Sequence, residues 1–462
     1  MGSYSEYKTI NLPWLTQIPT NWKLIRNKQF LQEKKIIVGN LSNQYTLLSL
    51  TLRGVIKRDL SEKKGKLPSS FDTYKIISPG DIVFCLFDMD ETPRTVGLSE
   101  YDGMLTGAYT VFRVHDINPQ FLYYYYLSLD NIKALRPLYT GLRKTIKIDT
   151  FLALKLPVPP RAEQDQIVRF LDWKVSEINK LIGIRRKEIR ELEVLKAAIV
   201  NSAITQGIDS NVTMKKTKVY YLPEVPSTWK VIKLKRICKV GASINNQLRK
   251  HTNQDKVVFL PMENISENGK IDCSIKQPIA QVRTGFSSFA KNDVIVAKIT
   301  PCFENGKGAC LDQLESDIGY GTTELFNLRA GNDVLPKYLY YITMTKIFRS
   351  LGERQMTGSA GQKRIPVDFI KNFVIGLPSI AIQHEIIDYI CLKTEQIDKL
   401  KCTKHKQLKS LRELCSTIIS DVVTGKIDVR NIPVPEYEHV DDQAADDGEN
   451  NDEETGIPGE ED

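Results

Sequence analysis

Basic side chains set beside glycines are the first chemistry this sequence offers. Arg53-Gly54-Val55-Ile56-Lys57-Arg58 and Lys63-Lys64-Gly65-Lys66 lie in its first half, with Arg94 a little further on. The second half carries Lys298 to Lys307, a run that ends Asn305-Gly306-Lys307-Gly308. Two more loops answer each other: Thr140-Gly141-Leu142-Arg143-Lys144-Thr145, closely followed by Lys147, and Thr357-Gly358-Ser359-Ala360-Gly361-Gln362-Lys363-Arg364. Glycine lets a backbone approach a phosphate, while Arg, Lys and Gln can neutralise it or hydrogen-bond a base edge. The candidate DNA contacts are therefore Arg53, Lys57, Arg58, Lys63, Lys64, Arg94, Arg143, Lys144, Lys147, Lys298, Lys307, Gln362, Lys363 and Arg364. Any one such run is more simply a solvated turn. Two in register in a basic chain favour DNA.

Catalytic patterns are missing beside this. There is no G-x-x-x-x-G-K-[ST] phosphate loop, no Gly-rich βαβ fingerprint, no Asn/Asp-Pro-Pro-Tyr tetrad and no G-x-S-x-G elbow. The five histidines (115, 251, 384, 405, 439) are far apart, and the eight cysteines form no C-x-x-C pair. The expectation is a non-catalytic chain that binds no metal or cofactor of its own and keeps its thiols reduced. A self-contained nuclease or methyltransferase is disfavoured on the same grounds. A helical structural adaptor whose basic face is incidental is the rival from another class.

The formal charge of +8 conceals an asymmetry. Residues 433–462 hold 13 acidic side chains and no Lys or Arg, which leaves the first 432 residues at +21. Such a body suits a polyanionic partner, because neutralised phosphates release their counterions. No apolar run approaches the roughly 20 residues that span a bilayer. With no basic-then-apolar leader at the start, the expectation is a cytoplasmic protein that uses no membrane.

The elements that must position these loops come in two copies. Ile18-Pro19-Thr20-Asn21-Trp22-Lys23 returns as Val225-Pro226-Ser227-Thr228-Trp229-Lys230, an offset of 207. Gly80-Asp81-Ile82-Val83 returns as Asn292-Asp293-Val294-Ile295 at 212, and Pro119 to Tyr124 as Pro336 to Tyr341 at 217. From Pro159/Pro378 the offset holds at 219, through Gln164/Gln383 and Ile208/Ile427. Insertions thus collect in a loop-rich first part and stop in the second.

The second part reads as one long helix per copy. Its 4-3 seam comprises Ile167, Leu171, Ile178, Leu181, Leu192, Leu195 and Ile199, matched by Ile386, Ile390, Ile397, Leu400, Leu411, Leu414 and Ile418. Three slots are polar in both copies, which suggests that the helices pair with each other. Because a whole domain intervenes, they must run antiparallel. The first parts read as mixed α/β, with strands within Tyr45–Leu52, Ile82–Phe87, Tyr109–Val114, Val257–Leu260, Asp293–Ile299 and Glu324–Leu328. The tyrosine-rich stretches Phe121–Leu129 and Tyr338–Thr343 read as helices whose rings serve core packing. The fold class is α+β: two pseudo-repeated α/β domains separated by two long antiparallel coiled-coil helices. The expected boundaries are 12–158, helix 161–206, linker 207–221, 222–375, helix 380–425 and an acidic disordered tail over 433–462.

This pattern resembles the specificity subunits of type I restriction–modification enzymes. The resemblance is carried by Ile/Val-Pro-x-x-Trp-Lys, Lys298-Ile299-Thr300-Pro301 through Lys307, Gly321-Thr322-Thr323-Glu324, Gly361-Gln362-Lys363-Arg364-Ile365-Pro366 and Pro159-Pro160-x-x-Glu163-Gln164-x-x-Ile167. It covers residues 12 to 428, and the acidic tail falls outside it. It implies that each first part is a target-recognition domain reading one half of an asymmetric, interrupted site on double-stranded DNA. It also implies that the helices set the gap and dock two modification (methyltransferase) subunits bringing S-adenosylmethionine, with ATP- and Mg-dependent restriction (translocase/endonuclease) subunits joining them. A specificity subunit of a related non-ATP-dependent system is the neighbouring alternative.

Overall fold

Proline and glycine punctuate the long helices as the spacing predicts. The computed structural model describes residues 2–58, 70–359 and 361–441. Its first long helix, Arg161–Gln206, starts after Pro159-Pro160, and its second, Ile380–Val423, starts after Pro378. Gly207 (φ 85°) and Gly425 (φ 76°) close them in the left-handed region that glycine enters without strain. The chain divides into two compact units: Met1–Glu188 with Lys404–Asp462, and Ile189–Thr403. Each is built from globular elements plus a segment of both long helices. The expected boundaries instead treated each helix as a separate piece.

In the first unit the central antiparallel sheet has the strand order Leu31–Glu33, Thr110–Val114, Ile82–Phe84, Val96–Leu98. The second unit repeats it as Cys238–Val240, Leu325–Ala330, Val294–Ala297, Gly308–Cys310. The second unit adds another four-stranded sheet, in which Lys256–Leu260 and Ile318–Gly321 run parallel. Where a linker was expected over 207–221, the structure has the strand Met214–Val219, paired in a hairpin with Leu222–Pro226. Its counterpart in the first unit is the hairpin Tyr7–Leu12 with Leu15–Pro19.

The repeated motifs turn out to be joints. Asp81 and Asp293 are buried, and each accepts a backbone N–H at 2.9 Å, from Ser78 and Ala290 respectively. Gly80 (φ 85°) and Asn292 (φ 69°) make the left-handed turn just before them. Each carboxylate then meets a cation from its own unit: Lys34 at 2.7 Å, and Arg329 through two bonds of 2.7 Å. The tyrosine helices are Pro119–Asn131 and Pro336–Met344, each with proline in its first turn. Tyr124, Tyr125, Tyr126, Tyr338 and Tyr340 are buried. Buried Gln164 accepts the Asn118 N–H at 2.9 Å and donates to the Pro159 carbonyl at 2.9 Å. Gln383 does the same with Leu335 at 2.8 Å and Pro378 at 3.1 Å. One glutamine thus fastens the start of each tyrosine helix to the start of a long helix.

Within each unit the two long-helix segments pack against each other. Ile167, Phe170 and Leu171 share a core with Ile419, Val422 and Val423 in the first unit. Val200, Ala203 and Ile204 share one with Ile386, Ile387 and Ile390 in the second. Lys404–Glu188 at 2.9 Å, Lys401–Glu193 at 2.6 Å and Lys196–Asp398 at 2.7 Å fix an antiparallel register, though partly exposed pairs of this kind add little stability.

The seam differs from the expected heptads. Ile167, Leu171, Ile178, Ile386, Ile390 and Ile397 are buried, but Leu181, Leu195, Leu400 and Leu414 are exposed. Leu192, Ile199, Leu411 and Ile418 are only half-buried. Burial instead recurs every eleven residues: Ile167, Ile178, Ile189, Val200, and in the second helix Ile386, Ile397, Leu408, Ile419. A seven-residue stripe stays in contact only if helices coil left-handedly, at 3.5 residues per turn. Eleven residues close three turns at 3.67, near the ordinary helical value, so the contact drifts by one residue past Ile178 and Ile182 replaces Leu181.

Residues 433–441, counted with the tail in the sequence, lie along the first long helix: Asn179 donates to the Val440 carbonyl at 3.0 Å and Ser176 meets the His439 ring at 3.3 Å. The tail from 442 onward lies outside the described residues. Among the described residues no helix is long and apolar enough to cross a membrane.

The seam makes a direct prediction. Ile182→Ala should lower unfolding free energy by about 2 to 4 kcal/mol, as for other buried large-to-small changes. Leu181→Ala should change it by less than about 0.5 kcal/mol, as at exposed positions. Equilibrium denaturation of both variants checks this, and equal losses would restore the heptad.

Candidate nucleic-acid interface

The two loops matched in sequence are held by matched backbone bonds. In the first unit the chain leaving strand Ile82–Phe84 accepts the Ile146 N–H on Leu86 at 2.8 Å, and Asp88 donates to the Arg143 carbonyl at 2.8 Å. In the second unit Ile365 donates to the Lys298 carbonyl at 2.9 Å and Thr300 donates to the Lys363 carbonyl at 2.9 Å. Thr140 and Thr145 close the first loop with reciprocal bonds, as Thr357 and Arg364 close the second. Both loops thus extend the same strand of the same sheet, while their tips differ.

Carboxylates complete each loop. Arg143 donates to Asp88 at 3.0 Å and lies over the Phe87 ring, 5.4 Å from its centroid. Lys144 stands 3.4 Å from Asp90 and 3.5 Å from Glu91, and Arg136 donates to Asp90 at 2.9 Å. Hydrogen bonding to Arg136, with help from Lys144, holds the Asp90 carboxyl below the usual range. In the second loop Arg364 grips Glu324 through two bonds of 2.8 and 2.9 Å. That pairing holds the Glu324 carboxyl low and raises the Arg364 guanidinium. Gln362 and Lys363 have exposed side chains, while Lys298 is half-buried, 5.5 Å from the Phe326 ring. Ala360 lies outside the described residues.

The other expected residues fall elsewhere. Arg53 and Lys57 belong to the hairpin Leu48–Thr51/Gly54–Lys57, where Lys57 stands 4.7 Å over the Tyr101 ring and Arg58 follows. Lys63 and Lys64 lie outside the described residues. Lys147 is exposed at the start of helix Ile148–Ala153. Arg94 is corrected from its expected place on an open loop. Its guanidinium bonds Asp130 at 3.1 Å and Asn131 at 2.9 Å, and its side chain is only 15% exposed, sharing the buried Asp130 carboxylate with Lys133 at 2.8 Å. Lys307 likewise turns inward, donating to the Met262 carbonyl at 3.1 Å. The acids Asp88, Asp90, Glu91 and Glu324 were not legible as loop partners, since each lies tens of residues away from the cation it meets. Among the described residues no cluster of three His, Cys, Asp or Glu side chains could hold a metal ion.

Two such loops on equivalent strands, one per unit, are what a duplicated recognition module would have. A model of the type I restriction modification DNA specificity domain matches the chain twice, over residues 86–220 and 226–410. The chain belongs to this family. The specificity subunits of the type I restriction enzymes EcoAI and EcoEI of Escherichia coli are 36% and 34% identical to it over 206 and 194 residues. Those matches take in 44% and 40% of this chain but 34% and 32% of the two subunits, so the chain spans about a third of these curated relatives. A chain solved in a study of complex assembly and conformational transition of the type I R-M system has the same fold. Its TM-score is 0.58 at 14% identity, covering 89% of this chain and 99% of that one.

Each specificity domain therefore presents a loop closed by an ion pair, and the second domain's loop can be opened deliberately. Glu324→Gln should speed amide hydrogen exchange at Thr357 and Arg364 several-fold and leave Thr140 and Thr145 unchanged. The same clamp has a pH sign. The depressed Glu324 carboxyl contributes fully above the ordinary glutamate range, and its contribution is lost as pH falls through the lowered value. A protection factor at Thr357, taken relative to the intrinsic exchange rate at each pH, that ignores both the substitution and acid would rule the clamp out.

Proposed function

We propose that this chain is the sequence-reading subunit of a type I restriction–modification complex and is itself non-catalytic. Each unit reads one half of an interrupted, asymmetric site on double-stranded DNA. The paired long helices, kept at a constant repeat offset of 219, set the interval between the half-sites. They also offer the docking surface for modification and restriction subunits, and S-adenosylmethionine, ATP and Mg belong to those partners.

One observation carries this reading. Both units hold a glycine-and-cation loop on the same strand by the same pair of backbone bonds, yet give it different tips: Leu142 and Arg143 against Ser359 and Gln362. A common frame with unlike tips suits two unlike half-sites, because direct readout depends on the side chains that reach base edges. The +21 charge of residues 1–432 supports a duplex partner.

The test exchanges parts. Replacing residues 12–158 with those of another family member should change one half-site in the mapped methylation target and leave the other intact. If both change, or neither does, the modular reading fails. Deleting four residues within 186–196 should abolish or re-space the target, because the opposite helix no longer matches in length. An unaltered target would remove the helices from any measuring role.

A further inference from the structure

Leu142 is the most exposed large apolar side chain among the described residues, at 103% relative exposure, and it stands at the tip of the first recognition loop. A single exposed leucine is ordinary on a protein surface. Its mounting is not. Thr140 and Thr145 exchange two 2.9 Å backbone bonds beneath it, Lys144 donates to the Gly141 carbonyl at 3.2 Å, and Asp88 donates to the Arg143 carbonyl at 2.8 Å. Gly141 (φ 72°) and Lys144 (φ 43°) both occupy the left-handed region, where a lysine is strained. The backbone on either side is therefore pinned while the leucine side chain projects into solvent. A tip that needed only to turn would carry Gly, Asn, Asp or Ser.

The charges around it say what it meets. Arg136, Arg143 and Lys144 are matched by Asp88, Asp90 and Glu91 at 2.9 to 3.5 Å. A cluster so balanced has little net attraction for phosphate, and its carboxylates are repelled by the minor groove, where the potential is most negative. The major groove is different. There the amino groups of cytosine and adenine donate to carboxylates, and the one apolar feature is the thymine 5-methyl group. The matched loop of the second unit, Thr357 to Arg364, contains no leucine, so this leucine contact belongs to one half-site alone.

We propose that Leu142 packs against the 5-methyl group of a thymine in the major groove of the half-site read by the first unit. The inference rests on the DNA-reading function proposed above. Rigid presentation matters here, because a contact of one methyl group is easily cancelled by the entropy of ordering a mobile loop.

The experiment separates this from the reading it rests on. The assembled complex first selects its target from a random duplex pool. Failure to enrich any sequence would overturn the DNA-reading function, and this inference with it. Given a target, affinities are measured for duplexes carrying deoxyuridine in place of each thymine in turn, which removes only the methyl group. One thymine in one half-site should show a loss of about fourfold, the worth of one buried methyl group. Leu142→Ala should bind the thymine duplex as weakly as the wild type binds the deoxyuridine one, and show no further loss on deoxyuridine. Tyr220→Ala, at the exposed turn of the hairpin Met214–Val219 with Leu222–Pro226, should keep the full discrimination. Two outcomes overturn the proposal. One is a thymine preference that survives Leu142→Ala. The other is an equal loss by Leu142→Ala on thymine and deoxyuridine duplexes, which marks a wedge between base steps instead. Unchanged thermal unfolding of Leu142→Ala confirms that the variant is folded.

Discussion

Each unit depends on burying one helical stripe against another that runs the opposite way. The first unit's core cannot close on residues 1–188 alone, since Ile419, Val422 and Val423 are part of it. The second unit draws Val200, Ala203 and Ile204 from one helix and Ile386, Ile387 and Ile390 from the other. Apolar burial of this kind is strong but non-directional. Direction comes from hydrogen bonds that can be made in only one place, and the buried amides of Gln164 and Gln383 supply them at the start of each helix. The tyrosine helix packs from there onto the central sheet, and the glycine-and-cation loop is bonded to the chain leaving that sheet's strand.

The loops themselves divide labour between backbone and side chain. Reciprocal bonds between Thr140 and Thr145, and between Thr357 and Arg364, hold the shape. Ion pairs to Asp88 and Glu324 then decide which cations stay exposed and which are already matched. Surface ion pairs contribute little to stability, so their main effect is on charge. They leave the first loop close to neutral around an apolar tip, and the second with exposed Gln362 and Lys363. Two copies of one frame can thus differ in chemistry without differing in architecture.

Much of this was legible in the residues. Proline before each long helix and glycine after it, the constant offset of 219, and the tyrosine runs after Pro119 and Pro336 determined the repeat, the helices and the packing role of the rings. Local signals suffice there because caps, breaks and periodicity act within a few residues. The loop pair at 140–145 and 357–364 was visible for the same reason: glycines beside cations declare a turn and a charge together.

Tertiary structure decided what depends on partners far away in the chain. Whether a cation is free cannot be read from its neighbours in sequence. Arg94 faces Asp130 and Lys307 faces the Met262 carbonyl, so both turn inward. The choice between Leu181 and Ile182 for the seam was equally out of reach, because both are apolar and only the winding of the helix pair selects one. Leu142 stands in a loop the sequence had already singled out for its cations. That its side chain lies wholly in solvent, with the cations beside it neutralised, follows from carboxylates brought in by the fold. Composition and spacing determine which elements form; exposure and charge balance belong to the assembled chain, because they are properties of neighbours in space.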